Sequence, residues 1–574
     1  MLKLGAPRRP LTWRERTLRR RRFGALGLAA VALLALAGGL LYGASRGSAG
    51  EQAAASFVQD WERGDYGAMY GRLTTASQRR IRPARFVRAY QKAREAATIV
   101  RLAAGKPRDL GNGIERVPMV VDTRIFGPVH ANLVLHTRDA RVSWARNLVF
   151  PGVPRGARLE RETAAPRRAP ILARDGRTLV EGPAGARTSP LGVVGQSIAG
   201  SVGQPATPGD REQLYARGFP ADTPVGLSGL ERVFEEQVAG KPGGTLGAGG
   251  RVLARAVPRP GRPVRTTIDP GVQAAAVGAL AGRFGGVAAL DARTGAVRAL
   301  AGVAFSAPQP PGSTFKVITA TAVLEARAAR LSSVFPVAQK AVIEGVDLQN
   351  AGAEYCGGTF AESFAKSCNS VFAPLGVKVG ARRLVEVAER YGFNEQPSIP
   401  GALPSTIPAA SEIDSPLALG STAIGQGRVL ATPLELAMVA QTVASRGIRH
   451  RPTLVPGQPA GKPMRVTSRR IARQLRTLMI GVVRDGTGVR AAIPGTNVAG
   501  KTGTAELETT VTKPGDEPSP SERTEPPGSK TDAWFTGFAP VHHPRLAVCV
   551  MLVRAGAGGD TAAPAARAVL QAGL

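Results

Sequence analysis

Twenty consecutive uncharged residues, Phe23 to Tyr42, constrain this chain more than any other feature. At about 1.5 Å of rise per residue, a helix of this length spans roughly the 30 Å hydrocarbon core of a bilayer. Nine basic residues and one glutamate precede the run, and basic residues tend to stay on the cytoplasmic side of a membrane. The sequence therefore predicts a basic cytoplasmic tail over residues 1–22 and a single-pass transmembrane helix over residues 23–42. The rest of the chain would lie outside the plasma membrane.

A cleaved signal peptide is the alternative interpretation of the same run. The apolar core of a signal peptide is usually about 7–15 residues long, which is shorter than this one. Small residues such as Ala44 and Ala49 do follow the run, but the first cysteine is Cys356, so a lipidated cysteine is not indicated. We therefore favour an uncleaved anchor.

The formal net charge of +33 raises the question of nucleic-acid binding. Aromatic residues make up only 5% of the chain, and basic and aromatic residues do not interleave in the way that stacks bases. An extracytoplasmic location also disfavours that role, so we expect no nucleic-acid partner. A compositional preference for arginine explains the charge, and a basic surface facing anionic lipid or anionic cell-wall polymer is the functional alternative.

Cysteine and histidine usage indicates neither a metal site nor a cofactor. The three cysteines and five histidines are scattered, without the regular spacing of a zinc site. Cys356 and Cys368 close a short loop in a compartment that is oxidising, so they are candidates for a disulfide, with three free thiols as the alternative. Cys549 lies in an apolar strand pattern and is expected to be buried and free.

The segment outside the membrane divides into three parts by composition and hydrophobic pattern. Residues 50–155 predict a small α+β domain, because apolar residues recur at helical spacing from Ala53 to Leu73, with a break at residues 64–66. The apolar segments 119–121 and 131–136 are typical of strands.

Two further segments follow. Residues 156–265 are rich in Gly, Pro and Arg and contain only short apolar runs. From residue 266 to residue 574 the pattern is that of a large α/β enzyme, with a helix around residues 272–280 and a hairpin formed by residues 286–291 and 296–300.

Three short motifs occur in order within this last segment: Ser313-Thr314-Phe315-Lys316, Ser367-Cys368-Asn369 and Lys501-Thr502-Gly503-Thr504. Each is common by chance, so the information lies in the set and its order. Pro311-Gly312 predicts a turn that opens a helix, on which Ser313 and Lys316 share a face. A partly desolvated lysine near other cations can lose its proton near neutral pH and accept that of a serine. This predicts Ser313 as nucleophile and Lys316 as its base.

The second motif lies in a break between two helical patterns. A hydroxyl such as that of Ser367 can relay a proton to a leaving amine there, and the amide of Asn369 can hold a substrate amide. Both residues are therefore candidate catalytic residues.

The third motif follows an apolar segment and predicts a strand. Gly503 would let a substrate backbone lie along that strand, while Lys501, Thr502 and Thr504 would bind a terminal carboxylate. The backbone N–H groups of Ser313 and Thr504 are candidates for an oxyanion hole.

The ordered set resembles the signature of penicillin-binding proteins. Gly425-Gln426-Gly427, Thr432-Pro433-Leu434 and the segment 533–538 extend the resemblance, which covers residues 266–574. It implies a penicillin-binding transpeptidase domain of β-lactamase-like fold, in which a β-sheet is flanked by helices and joined to an all-α subdomain.

The upstream resemblance is looser. Residues 50–155 resemble the N-terminal domain of MecA-type penicillin-binding proteins, which has a nuclear-transport-factor-like α+β fold. Residues 156–265 resemble the irregular pedestal, or dimerisation, domain of class B members, although the opening Arg167 to Ile171 lacks the family's glycine. The whole chain is thus similar to an actinobacterial-like class B penicillin-binding protein, a multidomain α+β and α/β protein.

This resemblance implies a peptidoglycan D,D-transpeptidase. Such an enzyme attacks the D-Ala-D-Ala end of a stem peptide, releases D-Ala, and passes the acyl group to an amine of a neighbouring stem. β-Lactams acylate the same serine, here Ser313, because they mimic that dipeptide. Class B members commonly work with a polytopic glycosyltransferase, so the resemblance also implies such a division or elongation partner.

Other functions fit the same motifs less well. A β-lactamase would need a base that drives water onto the acyl-enzyme, and no E-x-x-L-N sequence follows the second motif. A bifunctional glycosyltransferase would need an acidic motif set that residues 50–265 lack. A D,D-carboxypeptidase remains open, because water can replace the acceptor amine. A non-catalytic β-lactam sensor or division scaffold also remains open.

One segment interrupts the enzyme pattern. Residues 507–530, between the third motif and the next strand, contain five prolines and five dispersed acids. Such a segment cannot build a core of its own, so the sequence predicts a solvated loop beside the active site. A tolerated surface insertion and a gate for the acceptor stem peptide are the two interpretations.

Overall fold

The computed structural model describes residues 48–457, 461–506 and 531–574. The predicted basic tail, the predicted transmembrane helix and the predicted loop at residues 507–530 lie outside the described residues. Among the helices of the described ranges, none combines the length and the apolar character that crossing a bilayer requires.

The α-helices are α1 (Ala49–Arg63), α2 (Tyr66–Gly71), α3 (Thr75–Arg80), α4 (Pro83–Ala97), α5 (Val193–Ala199), α6 (Pro208–Arg217), α7 (Gly229–Val233), α8 (Glu235–Val238), α9 (Pro270–Leu280), α10 (Lys316–Glu325), α11 (Phe360–Ala365), α12 (Asn369–Val379), α13 (Ala381–Tyr391), α14 (Pro416–Ala423), α15 (Pro433–Ala444), α16 (Arg469–Arg484) and α17 (Ala562–Ala572). Short 3₁₀ helices cover Arg146–Val149, Gly312–Phe315, Ala351–Ala353, Ala410–Glu412 and Val489–Ala491.

The strands are β1 (Ile99–Ala104), β2 (Arg108–Asp109), β3 (Ile114–Thr123), β4 (Gly127–Arg138), β5 (Arg141–Ser143), β6 (Leu159–Ala164), β7 (Ile171–Leu172), β8 (Thr178–Val180), β9 (Val202–Gly203), β10 (Val225–Gly226), β11 (Gly243–Ala248), β12 (Arg251–Ala256), β13 (Val264–Arg265), β14 (Gly285–Asp291), β15 (Val297–Gly302), β16 (Val334–Ala338), β17 (Lys340–Ile343), β18 (Val346–Gln349), β19 (Cys356–Thr359), β20 (Ile448–Arg449), β21 (Met464–Arg465), β22 (Ala499–Glu506), β23 (Thr531–Ala539) and β24 (Leu546–Leu552).

The described residues form two compact units. The first contains residues 48–164 together with 212–220 and 242–257. The second contains residues 165–211, 221–241 and the described part of 258–574. The predicted division of the exterior chain at residues 155 and 265 stays a prediction.

The first unit packs helices against an antiparallel sheet of order β1-β3-β4-β5, with β2 beside β3. Ser48 and Glu51 form a reciprocal capping box that starts α1, and Gly64, in the left-handed conformation, ends it. Phe57 and Trp61 of α1 are buried in this core. The two predicted helices, their break and both predicted strands are confirmed here.

A second sheet of the first unit joins segments that are distant in sequence. Its order is β12-β11-β6, and all its pairs are antiparallel. Leu246 of β11 packs with Val129 and Phe150 in a small core of its own. This unit, which extends beyond the predicted residues 50–155, therefore combines helices with antiparallel sheets as an α+β domain does.

In the second unit, a buried ion network holds the segment before β7 against two short helices. The Arg168 side chain is 2% exposed and donates to the carboxylates of Glu231 (2.7 Å) and Glu235 (2.6 Å). Arg187 donates to the other oxygen of Glu231 at 2.6 Å. Each buried charge thus has opposite charges beside it, as buried ions require.

The core of the second unit surrounds a five-stranded antiparallel sheet of order β15-β14-β24-β23-β22. Along β14, Val287 and Ala289 face a core shared with α9 and α17. Ala288 and Leu290 face the opposite core, which includes α10 and α15. Because both faces are covered, the central strands β14 and β24 are almost continuously apolar instead of alternating. The predicted hairpin and the helix before it are confirmed.

Candidate active site

Strand β22 forms one edge of the five-stranded sheet and carries the third motif. The 3₁₀ turn Gly312–Phe315, which carries Ser313, packs directly against this edge. The α-helix begins at Lys316, so Ser313 lies in the tighter turn before the helix and not within it. The Thr314 hydroxyl donates to the Pro311 carbonyl at 2.7 Å and holds this turn.

Two glycines allow the turn and the strand to approach. A Cβ atom on Gly503 would lie 2.8 Å from the Pro311 carbonyl oxygen and 3.1 Å from the Thr314 nitrogen. Gly425, at φ +78°, accepts a hydrogen bond from the Gly312 N–H at 2.9 Å, and a Cβ there would overlap the Gly312 carbonyl. Gly503 is thus required by its contact with the turn that carries Ser313, a reason that the sequence did not reveal. Close contact with the same turn, at Gly312, likewise explains why a glycine stands at position 425.

Lys316 is fully buried at the start of α10. Its Nζ donates to the Ser367 carbonyl and to Asn369 Oδ1, both at 2.6 Å, and lies 3.4 Å from the Ser367 hydroxyl. Burial and the nearby Lys501 ammonium hold the pKa of Lys316 well below its usual range. The two short bonds use both donors of a neutral amine, which leaves its lone pair free to accept a proton.

Lys501 reaches the same hydroxyl from strand β22. Its Nζ donates to Ser367 Oγ at 2.8 Å and to the Thr502 carbonyl at 3.1 Å. The side chain is fully buried, and burial lowers the pKa of Lys501 to about 7. Near neutral pH the site can therefore hold one lysine that is neutral and one that carries charge.

The second motif forms a tight connection between α11 and α12. Ser367 lies in the left-handed region at φ +64°, which residues other than glycine seldom adopt. Asn369 is the first residue of α12. Between them, Cys368 is disulfide-bonded to Cys356, with the two Cα atoms 5.4 Å apart. The predicted disulfide is confirmed, and so is the buried free thiol of Cys549.

The two threonines of the third motif lie on the same side of β22, two residues apart. The Thr502 hydroxyl is hydrogen-bonded to that of Thr487. The Thr504 hydroxyl accepts from the Gly558 N–H at 3.3 Å. These contacts fix both hydroxyls at the edge strand, where the sequence predicts a carboxylate site.

The structure therefore brings Lys316, Ser367, Asn369 and Lys501 into one hydrogen-bonded group. Ser313 is half-buried beside this group, but its hydroxyl has no hydrogen-bond partner within the described ranges. Lys316 bonds to the second motif instead. In unliganded enzymes, catalytic hydrogen bonds are often formed only with substrate present.

Three residues near this group were missed by the sequence reasoning. The ring centroids of Phe372 and Phe364 each lie 5.6 Å from a lysine Nζ, those of Lys316 and Lys501 respectively. Asn350 contacts the start of α12. Phe372 follows Asn369 by three residues, a helical spacing that could have indicated a shared face. The other two carry no local signal. No group of metal-binding side chains is found in the described part of the chain.

Comparison with known proteins agrees with this arrangement. The penicillin binding protein transpeptidase domain family matches residues 285–571, which is half of the chain. The chain belongs to this family of penicillin-binding proteins, and specifically to its class B, actinobacterial-like members.

Related proteins from two actinobacteria illustrate the similarity. The peptidoglycan D,D-transpeptidase PbpA of Mycobacterium tuberculosis is 36% identical over 295 residues, which cover 47% of this chain and 56% of the relative. PbpA of Mycolicibacterium smegmatis is 33% identical over 294 residues, with the same two coverages. The chain thus spans only a little more than half the length of these curated relatives.

Solved structures extend the comparison. The crystal structure of PBPA from Mycobacterium tuberculosis covers 71% of this chain and 99% of its own, at 26% identity and a TM-score of 0.56. A ceftriaxone acyl-enzyme complex of penicillin-binding protein A from the same organism covers 71% of this chain and 98% of its own, at 27% identity and the same TM-score. That protein therefore forms a covalent adduct with a β-lactam.

Proposed function

We propose that this chain is a peptidoglycan D,D-transpeptidase that works through a Ser313 acyl-enzyme and is acylated by β-lactams. The observation that carries the proposal is the hydrogen-bonded group of Lys316, Ser367, Asn369 and Lys501 beside Ser313. Neither the sequence nor the described residues indicate a metal or cofactor, and the proposal requires none.

In the first half of the reaction, Ser313 Oγ attacks the carbonyl of the penultimate D-Ala of a stem peptide. Lys316, held neutral by burial, takes the Ser313 proton as the new C–O bond forms. The peptide C–N bond then breaks, and the leaving amine of the terminal D-Ala takes a proton through the Ser367 hydroxyl. The product is a serine ester and free D-Ala.

The remaining site residues bind the substrate. The backbone N–H groups of Ser313 and Thr504 stabilise the developing oxyanion. Lys501, with the hydroxyls of Thr502 and Thr504, binds the terminal carboxylate. Asn369 holds the amide of the stem peptide.

In the second half, an amine of a neighbouring stem peptide attacks the ester carbonyl. A new C–N bond forms, the ester C–O bond breaks, and Ser313 regains its proton. Water in place of the amine would give a D,D-carboxypeptidase instead.

Intact-mass analysis after incubation with a fluorescent penicillin, followed by peptide mapping, tests the acyl-enzyme. We expect one adduct, on Ser313, that the Ser313→Ala variant lacks while its thermal unfolding is nearly unchanged. An adduct on another serine would refute the assignment. Incubation with stem peptides then separates the alternatives, because a transpeptidase forms dimers, a carboxypeptidase releases D-Ala only, and a sensor turns over neither.

We further propose that residues 23–42 anchor the protein in the plasma membrane, with the N-terminus in the cytoplasm. The uncharged run and the basic residues before it support this topology. Reporter fusions after residue 22 and after residue 50 test it, because only the second should lie outside the membrane.

Two finer proposals concern the exterior domain and its partners. The helices and antiparallel sheet of the first unit support a nuclear-transport-factor-like fold for residues 50–155, of the MecA type. The proposed partner is a polytopic glycosyltransferase that acts in cell division or in cell elongation. Co-purification of such a protein from membranes, lost when residues 23–42 are replaced, is the expected result.

A further inference from the structure

A small β-structured arm, residues 334–359, lies against the second motif. Its strands pair as β16 with β19 and β17 with β18. The Gln349 carbonyl, at the end of β18, accepts from Asn369 Nδ2 at 2.5 Å. The disulfide between Cys356 and Cys368 forms a second link between the arm and the motif.

Asn350, the next residue of the arm, forms a third link. Its side-chain oxygen accepts from the Ser370 N–H, in the first turn of α12, at 2.9 Å. Its Nδ2 donates to the carbonyls of Ala338 (2.8 Å) and Glu354 (2.9 Å). Asn350 is 5% exposed, and both of its amide donors are in use. A buried amide with this many partners is fixed in one orientation.

The orientation of Asn369 follows from this fixed residue. Because the carbonyl next to Asn350 accepts from Asn369 Nδ2, the other end of the Asn369 amide, Oδ1, is directed to Lys316. A flipped amide would place two N–H donors against the Nζ of Lys316 and would compete for its lone pair. The arm therefore decides whether Lys316 meets an acceptor or a donor.

We propose that Asn350 is a positioning residue for the acyl-transfer reaction, because it holds the arm so that Asn369 presents its oxygen to Lys316. This inference rests on the proposed function, since it assigns Lys316 the role of base. Asn350 itself contacts none of the reacting groups and acts through Asn369.

A double-mutant cycle tests the inference in the full-length protein. The measured quantity is the second-order rate constant for acylation by a fluorescent penicillin. Asn350→Ala should lower this rate constant by about tenfold, the factor expected for the loss of one hydrogen bond, here the bond from Lys316 to Asn369. In an Asn369→Ala background, the same change should have almost no further effect. A purely structural role for Asn350 would instead give the same loss in both backgrounds.

Gln273 provides a matched control. It is also a buried amide, which donates to the Leu300 carbonyl (2.8 Å) and accepts from the Leu300 N–H (2.9 Å). Leu300 lies on β15, at the sheet edge opposite β22. Gln273→Ala should therefore lower the temperature of unfolding without lowering the acylation rate.

Three results would overturn the inference: an unchanged acylation rate in Asn350→Ala, equal losses in both backgrounds, or a crystal structure of this variant in which Asn369 Oδ1 still contacts Lys316. The crystal structure tests the positioning claim even if no penicillin adduct forms. Failure of the proposed function can therefore be distinguished from failure of this inference. If Asn350→Ala does not fold, Asn350→Ser, which keeps one donor and one acceptor, takes its place in the cycle.

Discussion

The two buried lysines of the site should control each other's protonation, and replacing Lys501 with methionine exposes this coupling. Both Nζ atoms lie within hydrogen-bonding range of the same Ser367 hydroxyl, at 3.4 Å for Lys316 and 2.8 Å for Lys501. Methionine keeps the length and burial of the side chain but removes its charge. The Lys501 ammonium is one of the two causes that lower the pKa of Lys316, so its removal raises that pKa.

The magnitude follows from the geometry. Two Nζ atoms that share one hydroxyl at these distances are no more than about 6 Å apart, and at an effective dielectric constant of about 20 their charges repel by about 3 kcal/mol. Removing Lys501 removes this repulsion and so raises the pKa of Lys316. Because Lys316 must be neutral to accept the Ser313 proton, the acidic limb of the acylation rate should move toward higher pH.

The assay is the acylation rate with a fluorescent penicillin over a pH range of about 5 to 9, which brackets the pKa of about 7 for Lys501. The absolute rate should also fall, by about a hundredfold, because a charge-assisted donor is lost. Lys366→Met is the control, since Lys366 precedes Ser367 but is exposed. An acidic limb that stays in place, or moves toward lower pH, would refute the coupling of the two lysines.

Three further changes test other features. Gly503→Ala should lower acylation and destabilise the protein by about 1–3 kcal/mol, measured by urea unfolding, because its Cβ would lie 2.8 Å from the Pro311 carbonyl; unchanged stability would contradict this. Replacing Cys356 and Cys368 with serine should cost about 3 kcal/mol of unfolding free energy, an effect that a reductant should reproduce in the parent only. Burial raises the pKa of Glu435 to about 8, so the parent protein loses stability as the pH rises from about 5 to 8 and the folded state gives up this proton less readily than the unfolded chain. The melting temperature of Glu435→Gln relative to the parent should therefore rise over that pH range. A difference in melting temperature that stays constant with pH would count against this reasoning.

Local sequence patterns were sufficient for much of the fold. The helical spacing from Ala53 onward, interrupted at Gly64, predicted the two helices that the first unit contains. The apolar segment before Asp291 predicted strand β14 and its hairpin. These elements depend on periodicity and on turn residues, which are short-range properties of the chain.

The candidate site was predicted as a set of motifs but not as an arrangement. The spacing of Ser313 and Lys316 indicated a shared helical face, whereas in the structure Lys316 bonds to Ser367 and Asn369, more than fifty residues away. The sequence predicted room for a substrate backbone as the reason for Gly503, but it could not reveal the close contact with the distant turn at Pro311.

The sequence by itself determined which residues are available to this site and their order, and it named Cys356 and Cys368 as candidates for the disulfide that the structure contains. Only the tertiary structure decided the protonation of the two lysines, because burial lowers the pKa of both, and the Lys501 charge that folding brings close lowers that of Lys316 further. It also decided the orientation of Asn369, since the carbonyl that accepts from its amide belongs to Gln349, in the separate arm, and leaves no local signal in the chain. Motif chemistry is a local property of a sequence, whereas electrostatic environment and hydrogen-bond direction are set by contacts between segments that are far apart along it.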